Sequence, residues 1–387
     1  TPPCTTASIV LGSLASYRRV GQGGKDCLPR PFFVFFTHEG DEVEPLPIEN
    51  EVQLEAQLGL PHPETVEELA RLEGDFLVLG AGGKMGPPLC TLLDNACGAG
   101  GKRRRVWGVS RFSDPAVRDR MESAGVRTLQ ADLIDRAAYA SLPDAGNVFF
   151  LAGMKFGASA REHLTWAMNT YVPALAAERW SGPGVRTVVF STGNVYPFVP
   201  AETAGADEKT PPQPLGEYAM SCLGRERMFQ YFSATRGSRT VIIRLNYANE
   251  LRYGVLVDLA KQVLAGETID LAMGHVNVIW QGDANNYIAR ALSLASSPAS
   301  ILNVAGPETL SVRFLAERIA ALAGKTARFA GVEQPSALLS DSSRCVELFG
   351  PPKVGLDTML AGVVDWVGRG EKTLGKPTKF QVRDGTF

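Results

Sequence analysis

The stretch Asp75-Phe76-Leu77-Val78-Leu79-Gly80-Ala81-Gly82-Gly83-Lys84-Met85-Gly86 carries the decision about fold. Its first five residues are a short apolar run of the kind that makes a buried strand. The run stops at glycine, and a helical pattern takes over across 87–96. Gly80, Gly83 and Gly86 fall at G-x-x-G-x-x-G spacing. The first permits a tight turn, the second lets the backbone approach a pyrophosphate, and the third lets helix and strand pack closely. The helix N-terminus adds partial positive charge for a bound anion. Alone, such glycines mark only a glycine-rich turn. Between this strand and this helix they predict a dinucleotide-binding loop, with Gly80, Gly83, Lys84, Met85 and Gly86 facing the ligand.

Outward from the loop, apolar strands alternate with helical runs. Strands are predicted at 105–109, 126–129, 147–151, 187–190 and 240–245. Helices are predicted at 115–124, 164–180 and 218–235. β-Branched strands separated by helices call for a parallel sheet covered on both faces, an α/β doubly wound Rossmann architecture. Beyond about residue 250 the alternation loosens. Helices at 255–265, 283–295, 311–323 and 357–368, with a strand at 302–304, predict a smaller α/β C-terminal substrate lobe. Ahead of the loop, 48–58 and 64–72 repeat apolar residues at helical spacing, and Pro63 suits a helix start. The first 45 residues offer only one candidate strand, 31–36. The expected division is therefore a preface over 1–74, a dinucleotide-binding domain over 75–250 and a substrate lobe over 251–387.

Composition narrows the function classes. The 387 residues carry 39 Lys+Arg against 41 Asp+Glu, a net charge of −2, which does not suit a strongly basic nucleic-acid binder. No run approaches about 18 consecutive apolar residues, so no membrane span is expected. The six cysteines form no C-x-x-C pair and stand at no metal-ligand spacing with histidine, so a reduced, cytoplasmic protein without a metal is expected. The short apolar piece near the front has no basic residues before it, so a secretory signal is not expected. His38 and His275 have no partners that suggest a metal or a triad.

The end of the second strand bears on cofactor choice. Folds that bind NAD usually place Asp or Glu there to hold the ribose hydroxyls. Here the strand ends Val109-Ser110-Arg111. Ser110 can hydrogen-bond a 2′-phosphate and Arg111 can pair with it, so NADP is preferred and NAD stays possible. Asp132 follows the third strand, beside Leu133, and either meets the adenine or caps a helix.

Several short motifs stand in one register: LGAGGKMG at 79–86, QADLID at 130–135, FFLAGMKFG at 149–157, WAMNTYVPAL at 166–175, VVFSTGNVYP at 188–197, EYAMSC at 217–222, RLNYANE at 244–250, WQGDAN at 280–285 and NVAGPETLSV at 303–312. Over about 75–370 the chain resembles the extended short-chain dehydrogenase/reductase family, the NAD-dependent epimerase/dehydratase group. The resemblance implies a Ser or Thr that holds the substrate oxygen, a Tyr that moves its proton, and a Lys four residues on that lowers the Tyr pKa. Carried over, these imply Thr192, with Ser191 as second choice, and Tyr218. The lysine position holds Cys222, the main departure from the pattern. Lys155, matched to a lysine near the cofactor in epimerases, is the candidate substitute. Leu151, Ala152, Gly153 and Tyr218 are implied to touch the cofactor, and Asn169 to brace the site. Asn194 and Asn246, with His275 and Arg252 in the outer lobe, face the substrate in this reading. Gly193 and Asn194 replace the Asp and Glu of sugar-nucleotide 4,6-dehydratases, which disfavours that chemistry.

These expectations describe an epimerase-like oxidoreductase that passes a hydride between a nicotinamide and a sugar or sugar-derivative carbon. The family implies a homodimer through the helices at 164–180 and 218–235, and a small-molecule substrate. Two rivals follow from Cys222: a dinucleotide-binding sensor or scaffold without turnover, and an enone reductase.

Overall fold

The computed structural model describes residues 46–102, 104–155 and 161–386. The candidate strand at 31–36, His38, Cys4 and Cys27 lie outside the described residues. Seven strands form one parallel sheet: β1 (Phe76–Leu79), β2 (Val106–Ser110), β3 (Arg127–Gln130), β4 (Asn147–Phe150), β5 (Arg186–Thr192), β6 (Arg239–Leu245) and β7 (Ser300–Val304). Their spatial order is β7-β6-β5-β4-β1-β2-β3, and every neighbouring pair is parallel. The order reverses between β1 and β4, so a crevice opens at their carboxyl ends, the place where open α/β sheets bind ligands. All four residues of β1 and of β4 are buried, as strands covered on both faces require. The seventh strand comes from beyond residue 250 and pairs with β6 through Ser300↔Val241 to Val304↔Leu245.

Helices α1 (Glu51–Leu58) and α2 (Pro63–Ala70) form the preface, followed by α3 (Gly86–Ala99) and α4 (Pro115–Ser123). The predicted long helix at 164–180 is interrupted. It consists of α5 (Glu162–Trp166), a π turn (Ala167–Tyr171) and α6 (Val172–Arg179). Pro173 explains the break: it has no N–H for the carbonyl of Asn169, and the wider turn absorbs that loss. Then come α7 (Gly216–Arg236), α8 (Val255–Ala265), α9 (Gln281–Arg290), α10 (Val312–Leu322), α11 (Ser343–Phe349) and α12 (Leu356–Gly368). One apolar core joins the sheet to α3 and α9, a second joins its other face to α6 and α7, and a third lies among α8, α10 and α12. Among the described residues no helix is long and apolar enough to cross a membrane.

The preface is bound in by polar contacts. Asn286 of α9 accepts from the His62 N–H at 2.7 Å and the Thr65 hydroxyl at 2.7 Å, and donates to the Leu60 carbonyl at 3.1 Å. Arg290 pairs with Glu68 of α2 at 2.8 Å. Arg252 donates to Glu51 and Glu55 of α1, both at 2.7 Å, and to Glu250. Arg252, read from the sequence as facing the substrate, thus has its charge balanced by three carboxylates.

A buried ion pair fastens α7 to the sheet. Arg244 of β6 meets both oxygens of Glu226, at 3.0 and 2.8 Å, and the Ser191 hydroxyl of β5 donates to the same carboxylate at 2.6 Å. Glu226 has no exposed surface. Removing one partner of such a pair strands a charge in a medium that solvates it poorly. Arg244→Met is expected to destabilise the protein by about 3–5 kcal/mol in denaturant unfolding. The double variant with Glu226→Gln should recover much of that loss. An Arg244→Met protein within about 1 kcal/mol of wild type would sink the idea that this pair holds α7.

Candidate active site

The glycine loop occupies the crevice between β1 and β4. Gly80 has φ +88°, and a side chain there would approach the Ala152 N–H nitrogen to 2.5 Å. A Cβ at Gly86 would stand 2.2 Å from the Ala81 carbonyl oxygen, so this glycine lets α3 close onto the loop. Gly83 differs: a Cβ there would meet only the Gly80 carbonyl, at 3.4 Å, and its exposed face looks onto open space that a pyrophosphate can fill. Gly82 was not singled out by the glycine spacing. Its Cβ would lie 2.6 Å from the Ser110 hydroxyl oxygen, a constraint set by a residue in the next strand. The backbone at Lys84 and Met85 leads into the positive end of α3, and Leu151 donates its N–H to the Leu79 carbonyl at 2.8 Å. With Ala152 and Gly153 at the end of β4, this cradle suits a dinucleotide.

Lys84 and Asp132 have partners within the chain. The Lys84 ammonium donates to the Ala248 carbonyl at 2.8 Å and lies 4.2 Å from the centre of the Tyr253 ring, so its side chain turns inward and only its backbone serves the loop. Burial pushes its pKa down to about 7. Asp132 caps a local turn, accepting from the Ile134 N–H at 3.3 Å, while Leu133 is buried in the core beneath it. Arg111 is exposed beyond Ser110, and its carbonyl accepts from the Gln130 amide at 3.0 Å.

At the end of β5 the Thr192 side chain stands near the Tyr218 phenol, close enough to lower its pKa. The Thr192 hydroxyl donates to Asn194 Oδ1 at 2.8 Å. Tyr218 lies near the start of α7, and Cys222, one turn on, faces it. The Lys155 ammonium lies 5.7 Å from the centre of the Tyr218 ring and donates to the Thr378 carbonyl at 3.3 Å. Burial holds the Tyr218 phenol well above its usual range; Arg225 and Thr192 pull the other way. Burial likewise raises the Cys222 thiol and lowers Lys155 to about 8.

Arg225 is the residue the sequence reading missed. It follows Tyr218 by seven positions and Cys222 by three, so all three share one helix face. Its guanidinium donates to the Phe190 carbonyl at 2.6 Å and to Asn169 Oδ1 at 2.8 Å. A Cβ at Gly153 would strike it at 2.3 Å, which explains that glycine. Asn169, on the π turn, also accepts from the Met154 N–H and donates to the Met154 carbonyl, both at 2.8 Å. The only sequence signal for Arg225 was its helical spacing from Tyr218.

Of three expected substrate contacts, Ser191 and Asn246 are otherwise engaged. Ser191 gives its hydroxyl hydrogen to Glu226. Asn246 is buried and donates to the Leu338 carbonyl at 3.3 Å. His275 lies on a short strand pair, with a buried Nδ1 that has no hydrogen-bond partner among the described residues. Residues 374–383 cross the same region: Leu374 donates to the Arg252 carbonyl at 3.0 Å, and the Thr378 N–H and hydroxyl reach Asp258 at 2.8 and 2.6 Å.

A family model described as the NAD dependent epimerase/dehydratase family matches residues 76–273. Among solved structures, a UDP-glucuronic acid 4-epimerase from Bacillus cereus, in complex with UDP-glucuronic acid and NAD, is 19% identical with a TM-score of 0.64, covering 76% of this chain and 99% of its own. A UDP-glucose 4-epimerase from Thermus thermophilus, in complex with NAD, is 23% identical with a TM-score of 0.61, covering 75% and 98%. MoeE5, in complex with UDP-glucose and NAD, is 21% identical with a TM-score of 0.63, covering 76% and 99%. No curated protein sequence matches the chain.

The glycines give a test that separates folding from binding. Gly83→Ala should keep the wild-type melting temperature and weaken dinucleotide binding about tenfold. Gly86→Ala should lose stability itself. Equal dinucleotide affinity in Gly83→Ala and wild type, measured by fluorescence titration, would remove the loop from the site.

Proposed function

The chain belongs to the NAD-dependent epimerase/dehydratase family, and from that membership we propose that it moves a hydride between a nicotinamide dinucleotide and a carbon of a sugar or sugar derivative. The observation that carries this reading is the approach of the Thr192 side chain to the buried Tyr218 phenol at the end of β5, with the Lys155 ammonium 5.7 Å from the Tyr218 ring centre. The bound nicotinamide supplies the hydride acceptor or donor. Thr192 holds the substrate oxygen. Tyr218 takes the proton from that oxygen as the carbon is oxidised and returns it on reduction. A buried phenol resists giving up its proton, so nearby positive charge is needed. Lys155 and Arg225 provide it in this proposal, in place of the lysine that Cys222 replaces.

Tyr218→Phe should lower the rate of hydride transfer by about 10²–10⁴-fold. The wild-type rate should fall as pH rises through about 8, where Lys155 loses its proton and its charge. Full activity in Tyr218→Phe would defeat the mechanism. Absence of turnover in both proteins, with dinucleotide binding intact, would instead favour the sensor or scaffold reading that Cys222 raises.

For the cofactor, NADP was expected from Ser110 and Arg111. The neighbouring structures are described with NAD, which weighs for NAD here. We therefore expect NAD to bind at least as tightly as NADP, with Arg111→Ala leaving NAD affinity within about twofold. NADP binding more than about tenfold tighter, with that margin lost in Arg111→Ala, would restore the NADP assignment.

A further inference from the structure

Beside the Thr192–Tyr218 pair lies a cavity of about 280 Å³. It sits just below the usual range of small-molecule sites, roughly 300–1,000 Å³. Tyr196, Phe198 and Tyr247 form aromatic walls, and Asn194 and Gln213 are its polar side chains. Asn194 ties the cavity to the chemistry, because it accepts the Thr192 hydroxyl hydrogen. Leu215, which precedes α7, forms part of the lining.

The walls are fixed in place. The Tyr196 hydroxyl donates to Asn303 at 2.8 Å, and the Arg244 guanidinium lies 4.6 Å from its ring centre. Tyr247 has φ +38°, a left-handed conformation unusual for a bulky residue. Such backbone strain persists where the surrounding structure enforces it, often at a ligand site.

None of the described lining residues is charged. Four cations nearby are engaged elsewhere. Arg383 lies 4.3 Å from the Phe198 ring centre, but donates to the Ser336 carbonyl and hydroxyl at 2.7 and 2.9 Å. Arg244 is neutralised by Glu226, Arg252 by three carboxylates, and Lys155 donates to Thr378. A diphosphate is held by charge-assisted bonds from Arg, Lys or clustered N–H groups. This cavity presents no such side chain among the described residues.

We infer that the cavity takes an uncharged, compact sugar ring or glycoside that carries no nucleoside diphosphate. Its apolar face stacks on the aromatic walls, and its hydroxyls meet Asn194 and Gln213. This rests on the hydride-transfer reading for the site and differs from the UDP-sugars named for the neighbouring structures.

The test is calorimetric titration of the Tyr218→Phe protein saturated with dinucleotide, which measures binding without turnover. The probes are galactose, glucose, phenyl β-glucoside, UDP and UDP-glucose. The expected result is saturable binding of at least one neutral probe, weakened about three- to tenfold by Phe198→Ala or Gln213→Ala, with no saturable binding of UDP or UDP-glucose. Melting temperatures of the two cavity variants confirm that they are folded. Binding of UDP or UDP-glucose below about 1 mM overturns the inference, as does the absence of binding by every neutral probe. Failure of the hydride-transfer reading has a different signature: wild-type turnover indifferent to Tyr218→Phe, whatever binds in the cavity.

Discussion

The carboxylate of Glu226 is the point on which the site turns. Burying a charge costs several kcal/mol unless partners replace its hydration. Here Arg244 supplies two hydrogen bonds and Ser191 a third. These groups belong to α7, β6 and β5, and only one rotation of α7 about its axis satisfies all of them. That rotation sets the direction of Tyr218, two turns earlier, toward Thr192. It also places Arg225 beneath the Gly153–Met154 backbone. The position of the reactive hydroxyl is thus determined by a polar network well behind it.

Much of the frame was legible because local chemistry and global fold agree. Strands buried on both faces must be largely apolar; β1 is so throughout, and β4 is so except at Asn147, whose amide donates to the Glu73 and Gly74 carbonyls. The glycine loop was legible because its requirements are local, except at Gly82, where Ser110 imposes the constraint from the neighbouring strand. Side-chain partners were harder to read. Arg252 looked available to a substrate anion, but its partners Glu51 and Glu55 lie about 200 positions earlier. Arg225 has an arginine's usual appearance of a surface residue, yet it is only 5% exposed. The π turn depended on Pro173 acting on a helix that otherwise had a continuous pattern.

The substitution at Cys222 changes the electrostatics of α7. A lysine there would put a flexible ammonium one turn from Tyr218. The thiol is neutral, and burial keeps it so. Positive charge remains nearby on Arg225, which is held rigidly by Phe190 and Asn169, and on Lys155, which comes from a different strand end. A charge spread over two fixed groups is less able to follow a moving proton than one flexible amine, but it costs less ordering when the site is occupied.

The hydrogen bond from Lys155 to Thr378 spans 223 positions of sequence. A contact of that reach gains its energy only after the intervening chain has been ordered, and so belongs to the late part of folding. The sheet, its glycine loop and α7 can form from residues well before Thr378. A growing chain that has reached α8 could therefore own a dinucleotide cradle while its lysine still lacks its final support. Assembly of the polypeptide itself thereby imposes an interval between acquiring a cofactor site and completing the site beside it.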